Sequence, residues 1–215
     1  MKIKWLAHAS FLITSSENIR ILTDPYHAEQ GISHAPIKES AEIVTVSHDH
    51  FDHNAFSAVA GSPVKVASPG TTEAKGIQFK GIPVYHDENQ GKQRGKNIIF
   101  CFTVDNIRIC HLGDLGHLLS SGQVKEIGAV DILLIPVGGF FTIDAAAAGQ
   151  VCEILAPRIA IPMHYKNSKL DFPVAGVEPF IKGKDNVILK EASEVEYNTA
   201  TLPVQSEIIV LKPAY

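Results

Sequence analysis

Between Ser47 and His53 the chain reads Ser-His-Asp-His-Phe-Asp-His, three histidines and two aspartates directly behind the apolar run Ile43-Val44-Thr45-Val46. That β-branched run reads as a buried strand. His48, His50 and Asp52 fall at i, i+2 and i+4, so an extended backbone would aim all three side chains the same way. Asp49 would point away into a supporting role, and His53 would come from the turn that follows. Imidazole and carboxylate together suit zinc, manganese or iron. The plain alternative is a solvated loop with a chance run of histidines, and matching partners further along the chain argue against it. His86 closes the run Ile82-Pro83-Val84-Tyr85, Asp114 follows His111-Leu112-Gly113, and His164 follows Ile159 to Pro162. Each lies at the C-terminal end of an expected strand, where loops from neighbouring strands can converge. Taken singly, each would more often be a structural histidine or a turn.

The Ser47–His53 stretch resembles the His-x-His-x-Asp-His signature of the metallo-β-lactamase-fold superfamily. Other matching pieces come in the expected order: the opening Trp-Leu-Ala-His-Ala-Ser (5–10), Leu-Thr-Asp-Pro (22–25), His86, His-Leu-Gly-Asp (111–114) and Pro-Met-His (162–164). The resemblance spans nearly the whole chain. Its opening is most similar to the branch that contains ascorbate-6-phosphate lactonase, with Ala7 where that branch usually has Gly. The resemblance implies that His48, His50 and His86 hold one metal, that Asp52, His53 and His164 hold a second, and that Asp114 bridges them. Zinc is the first choice, with manganese and iron as alternatives. Three neutral imidazoles leave a coordination position open, which marks a catalytic site. A bridging carboxylate offsets the repulsion between two cations, and a water between them would be acidified toward roughly pH 7. Asp52 and Asp114 are the expected catalytic carboxylates.

Weaker candidates surround that set. Asp24 is the first choice for accepting an N–H from a ligand histidine, against an ordinary Asp-Pro turn. His8 and Ser10 reach either the cleft or a hairpin surface. Thr142 and Asp144 resemble the family's Thr-x-Asp, whose simplest role is to cap a helix. Tyr165 is a candidate for facing substrate. His111 reads as structural, and His27, His34 and His117 as surface or loop-lining. The short basic loop Gly91-Lys-Gln-Arg-Gly-Lys96 reads as a flexible flap over the cleft that could contact an anion.

A chain of 215 residues with 45% hydrophobic and 20% charged residues suits one domain, 1–215, with a substantial core. Strands are expected near 3–7, 10–14, 19–23, 43–46, 64–67, 76–80, 82–86, 97–104, 107–112, 130–136, 158–162, 186–189, 194–197 and 207–211, and helices near 55–60 (capped by Asn54), 121–127, 144–155 and 174–182. Meanders followed by strand–helix alternation suit two packed mixed sheets with helices outside. The resemblance implies the same four-layer αββα sandwich. With Asp105-Asn106 as a two-residue turn, Cys101 and Cys110 face one another, as two thiols in a reducing cytosol. No apolar run approaches the roughly 18 residues of a membrane span, and the chain reads as cytoplasmic.

The leading expectation is a dinuclear hydrolase of an ester, lactone or phosphoester in a small anionic metabolite, with ester or lactone favoured and a homo-oligomer in keeping with the superfamily. A net charge of −4 argues against a nucleic-acid partner of the RNase Z kind. A di-iron redox enzyme would replace His50 by glutamate and carry a flavin domain. A non-catalytic metal-binding protein is the remaining alternative.

Overall fold

The β-branched runs become fourteen strands in the computed structural model, which describes all 215 residues. They are β1 (Lys2–Ala7), β2 (Ser10–Thr14), β3 (Arg20–Thr23), β4 (Ile43–Thr45), β5 (Val64–Val66), β6 (Gly70–Ala74), β7 (Ile77–Tyr85), β8 (Lys96–Val104), β9 (Ile107–His111), β10 (Ile132–Pro136), β11 (Ile159–Met163), β12 (Val187–Leu189), β13 (Glu194–Glu196) and β14 (Glu207–Val210). Helices α1 (Ser121–Ile127), α2 (Ala145–Leu155) and α3 (Glu178–Ile181) complete the set. One sheet has the order β13-β1-β2-β3-β4-β5 and the other β12-β14-β11-β10-β9-β8-β7-β6. Both are mixed: β3, β4 and β5 run parallel, as do β9, β10 and β11, while the hairpins are antiparallel. The α+β architecture of two mixed sheets matches the expected fold class.

Period-two alternation sorts the first sheet's side chains. Ile3, Trp5, Ile21 and Ile43 join the main core with the second sheet and with Ala148, Val151, Leu155 and Phe180 of the helices. Their neighbours Leu6, Leu22 and Val44 point the other way, into a smaller cluster with Tyr26, Ile32, Ile37 and Leu170. The first sheet is therefore buried on both faces, which explains its unbroken apolar strands. Loops cover its second face, and the only helical turn in that region is the short 3₁₀ turn Phe56–Ala58.

Three expectations of local structure need correction. The helix near 55–60 shrinks to that 3₁₀ turn, whose N-cap position is Ala55 with no side-chain cap, while the Asn54 amide donates to Asp49. The helix near 174–182 shrinks to α3, since the backbone of Ala175 is bonded to Gly138 and Lys166. Strand β6 was not anticipated, and the two strands expected on either side of Gly81 form the single strand β7. Gly81 does not break the strand: a Cβ there would lie 2.5 Å from the Ser68 carbonyl oxygen, so glycine admits a crossing backbone. Asp105 and Asn106 both adopt positive φ, at 50° and 63°, and the β8–β9 hairpin sets Cys101 opposite Cys110, with 3.6 Å between the two free thiols. Gly81→Ala is expected to cost about 1–3 kcal/mol through that overlap. Urea denaturation would show a lower midpoint at constant slope, and an unchanged midpoint would refute the packing argument.

Candidate metal centre

Six strands deliver the candidate residues. His8 follows β1, Asp24 follows β3, the Ser47–His53 segment follows β4, His86 follows β7, Asp114 lies just beyond β9, and His164 follows β11. β1, β3 and β4 run in one direction in the first sheet, and β7, β9 and β11 share a direction in the second. Their C-terminal ends thus gather along one rim of the sandwich. Three of these residues hold left-handed backbone: His8 (φ 55°), Asp24 (φ 38°) and His164 (φ 52°). Such a conformation costs on the order of 1 kcal/mol per non-glycine residue. The strain turns each side chain back over the rim immediately after its strand.

The Ser47–His53 segment is not extended. His53 and Asn54 donate their backbone N–H groups to the His50 carbonyl, so the motif folds into a tight turn. The turn divides its side chains, which is why the common direction expected of His48, His50 and Asp52 is not found. His48 and His50 cluster with His86, while Asp52 and His53 cluster with His164 and His8. Asp114 lies between the clusters. Its Oδ2 is 3.2 Å from His86 Nε2, 3.2 Å from His164 Nε2, 3.3 Å from His53 Nε2 and 4.0 Å from His48 Nε2.

Asp24 fixes the ring orientations. It accepts from the Ser47 backbone N–H at 2.8 Å, from Ser47 Oγ at 2.5 Å and from His53 Nδ1 at 2.9 Å. An ionised carboxylate only accepts, so His53 donates through Nδ1 and turns Nε2 toward Asp114, where a cation would take the place of its second proton. Ser47 gives its one proton to Asp24, so it accepts from His48 Nδ1 at 2.9 Å, and the neutral His48 ring turns a proton-free Nε2 toward His50 Nδ1 at 3.0 Å. On the other side, His8 Nε2 donates to Asp52 Oδ2 at 3.1 Å. Asn97 holds the Asp114 loop, accepting from the Asp114 backbone N–H at 3.1 Å and donating to the Leu112 carbonyl at 2.8 Å. Gly113 (φ 54°) makes this possible, since a Cβ there would sit 2.3 Å from Asn97 Oδ1 and 2.6 Å from Ser47 Cβ. Asn97 and Ser47 were not singled out in the sequence. Asn97 carries no motif, and only the register of β8 against β9 brings it beneath Asp114.

The donor set fits divalent metal. Two of the buried ring nitrogens without a hydrogen-bond partner, His53 Nε2 and His164 Nε2, lie 3.3 and 3.2 Å from Asp114 Oδ2. Buried polar groups left without a partner are costly, and imidazole nitrogens converging on one buried carboxylate are a donor set that suits a cation. Burial, reinforced by His53, pushes His48 down to about 3, and burial with His164 pushes His8 down to about 4. Both rings are neutral at pH 7, as a ligand or a neutral donor must be. Burial alone would raise Asp24, but His111, His53 and Ser47 more than offset it and hold it below the usual carboxylate range. Asp114 behaves likewise: burial would raise it, and His164 and His53 hold it well below that range.

Other candidates fall elsewhere. Tyr165 faces the core, with its ring 5.3 Å from that of Trp5 and its hydroxyl donating to Leu211 at 3.5 Å, because the left-handed turn at His164 sends the next side chain inward. Asp144 caps α2, accepting from Ala147 N–H at 2.9 Å, and Thr142 bonds the Ile143 carbonyl. Both line a neighbouring cavity. Ser10 is fully buried, with its Oγ lacking a partner. His34 is buried rather than superficial, held 2.7 Å from the Tyr215 carbonyl. His111 is structural, bonded to the Ala9 carbonyl at 2.8 Å. The 91–96 loop is not a loose flap, because the Asp87 carboxylate accepts the backbone N–H groups of Asn89, Gly91, Gln93 and Arg94 at 2.7–3.0 Å. Above Asp114 opens a cavity of about 580 Å³, lined by His50, Asp52, His86 and His164 together with Phe51, Phe141, Phe172 and Arg94.

Residues 2–164 match the model of the β-lactamase superfamily domain. The chain belongs to this superfamily. A metal-dependent hydrolase of Archaeoglobus fulgidus is 29% identical, with 92% of this chain and all of the relative covered. A crystal structure from Thermotoga maritima, provisionally described as a Zn-dependent hydrolase of the metallo-β-lactamase superfamily, is 34% identical with a TM-score of 0.81, covering 98% of this chain and 97% of that one. Human tRNase Z, short form, shares the fold at a TM-score of 0.58 and 12% identity, covering 82% of this chain and 99% of that one. No helix is long and apolar enough to cross a membrane.

Asp24→Asn removes the anion that orients two rings. It is expected to weaken divalent-metal binding by roughly 10–100-fold, read by competition with a chromophoric chelator. An unchanged affinity would remove Asp24 from the site. The neutral histidines also set a pH dependence. Between the folded values of about 3 and 4 and the ordinary 6.5, the unfolded chain takes up protons that folded His48 and His8 refuse. Stability of the metal-free protein therefore rises with pH across this window and is lost as pH falls below 6.5. The lowered aspartates act beneath it. His53 is raised despite its burial, through Asp114 and Asp52, and its contribution is lost only as pH rises above 6.5. Thermal unfolding should show a lower Tm at pH 4.5 than at pH 6.5, with a shallower slope for His48→Asn. Equal slopes would defeat the assignment.

Proposed function

We propose that this protein is a dinuclear metal-dependent hydrolase of an ester or lactone bond in a small anionic metabolite. The observation that carries the reading is the placement of Asp114 between two histidine clusters, at the foot of a cavity large enough for a small metabolite. Superfamily membership and the metal-dependent hydrolases among the relatives support it. His48, His50 and His86 would hold one cation, Asp52, His53 and His164 a second, and Asp114 would be shared. When bound, zinc, or manganese or iron in its place, would supply an acidified water and polarise the scissile carbonyl.

The chain's own groups do the rest. Asp52 lies on the cavity wall and takes the proton released as water attacks, while the N–H of His8 fixes the carboxylate that receives it. His8 is thus a positioning residue. Asp24, through His53 and through Ser47 to His48, keeps the Nε2 atom of each ring turned inward. Phe51, Phe141 and Phe172 line the cavity and give the reacting bond an apolar surround. The preference for ester or lactone over phosphodiester rests on the branch resemblance and on the net charge of −4, which disfavours a polyanionic substrate.

The test is metal content by elemental analysis, with turnover of phenyl esters and γ-lactones before and after chelation. Two metal equivalents per chain are expected, with activity lost on chelation and restored by zinc. Asp52→Asn is expected to lower kcat by roughly 10²–10⁴ with the fold retained by circular dichroism. Full activity in metal-free protein would sink the proposal.

A further inference from the structure

Arg94 is the one lysine or arginine that lines the cavity above Asp114. Its guanidinium carbon lies 5.6 Å from the ring centre of Phe141 and 5.9 Å from that of Phe140, stacking distance for an arginine on aromatic faces. Its only hydrogen bond is made by its backbone, the N–H donating to Asp87 at 2.7 Å. The side chain has no ion pair, so the guanidinium's five N–H donors are all without a protein partner. An arginine stacked by its face keeps its edge available for a planar anion.

The backbone beneath it is held. Asp87 follows His86 directly and accepts four N–H groups from the loop, at Asn89, Gly91, Gln93 and Arg94. The Gly95 carbonyl accepts from the His86 N–H at 3.1 Å, and Gly95 N–H donates back to the Gly91 carbonyl at 3.0 Å. Arg94 is therefore tied through one closed loop to a histidine that faces Asp114. It lines the cavity above the metal centre and also the adjoining one of about 530 Å³, which holds Phe140 and Leu118. A cavity of about 580 Å³ is roughly 10 Å across, so a small ester placed over Asp114 has its far end within reach of Arg94.

We infer that Arg94 is the specificity-determining residue of this site, binding a carboxylate or phosphate group of the substrate at the junction of the two cavities while the scissile carbonyl lies over Asp114. The inference rests on the hydrolase reading for the identity of the reacting bond. It goes further in naming where the substrate's charge is recognised. It also places an apolar portion of the substrate against Phe140 and Leu118, both well exposed to solvent on the wall of the second cavity.

The experiment compares zinc-loaded wild type, Arg94→Gln and Arg94→Lys on matched esters: the monophenyl esters of succinate and glutarate against phenyl butyrate and phenyl pentanoate. Wild type is expected to prefer the charged esters. In R94Q the ratio of kcat/KM, charged over neutral, falls by on the order of 10–100-fold, chiefly through KM, as expected for loss of a charge-assisted contact. R94K lies between, keeping the charge and losing the fork. A purely structural Arg94 would lower both ester classes together and leave the ratio unmoved, which would overturn the inference while hydrolysis itself stands. A second readout does not need turnover: calorimetric titration of the same zinc-loaded proteins with glutarate, where the Kd of R94Q is expected to rise about tenfold or more. Arg94-dependent binding of glutarate without hydrolysis of any ester would sink the hydrolase reading and keep Arg94 as an anion site. Equal glutarate binding by wild type and R94Q, or none by either, overturns the inference.

Discussion

The burial of unlike charges and neutral imidazoles at one rim is the constraint on which this structure turns. Asp24, Asp114, His53 and His164 are all essentially inaccessible to solvent, and Asp52 nearly so. Carboxylates taken out of water are strongly disfavoured unless partners surround them. Here each has partners, and the hydrogen bonds that satisfy it also decide which ring nitrogen keeps its proton. Asp24 is the clearest case. One side chain bonds a serine hydroxyl and a histidine, and those two bonds fix which nitrogen of each ring, on both sides of Asp114, is turned inward. Among the buried atoms that remain without partners, His53 Nε2 and His164 Nε2 are turned toward the shared centre at Asp114.

Much of the fold was legible because it rests on strand patterning. Runs such as Ile132–Pro136 and Ile159–Met163 are buried along their whole length and read as strands without ambiguity. The hairpin at Asp105-Asn106 followed from turn chemistry and correctly set Cys101 against Cys110. The errors came where tertiary contacts outbid local preference. The turn after the motif starts at Ala55 and takes no cap from Asn54, and Gly81 marked a crossing backbone inside a strand. The reach of the first sheet's outer cluster was also hidden, since loops carry no period.

At the centre, side-chain chemistry and order along the chain pointed to the residues that meet, but not to how they meet. The alternation of His48, His50 and Asp52 suggested one common direction, whereas the turn at His50 sends them to two clusters. Positive φ at His8, Asp24 and His164 could not be read from residues that adopt it only under compulsion. For the same reason Tyr165 looked like a cleft residue and lies in the core. Asn97 left no trace, because a single amide inside a strand gains its meaning only from its neighbour across the ladder.

The gathering of three strand ends from each sheet has a consequence for the life of the protein. A cation seated at that rim rivets the two halves of the sandwich together, and a ligand that binds only the assembled form shifts the folding balance by mass action. Occupancy and foldedness then rise and fall together. When the ion is scarce, the two sheets keep their shared apolar interior and a few hydrogen bonds such as His111 to Ala9 and His164 to His8, and local opening at the rim exposes the loops after β1, β4 and β11 to proteases. Cellular abundance of the chain would then follow the supply of its metal, without any separate sensor.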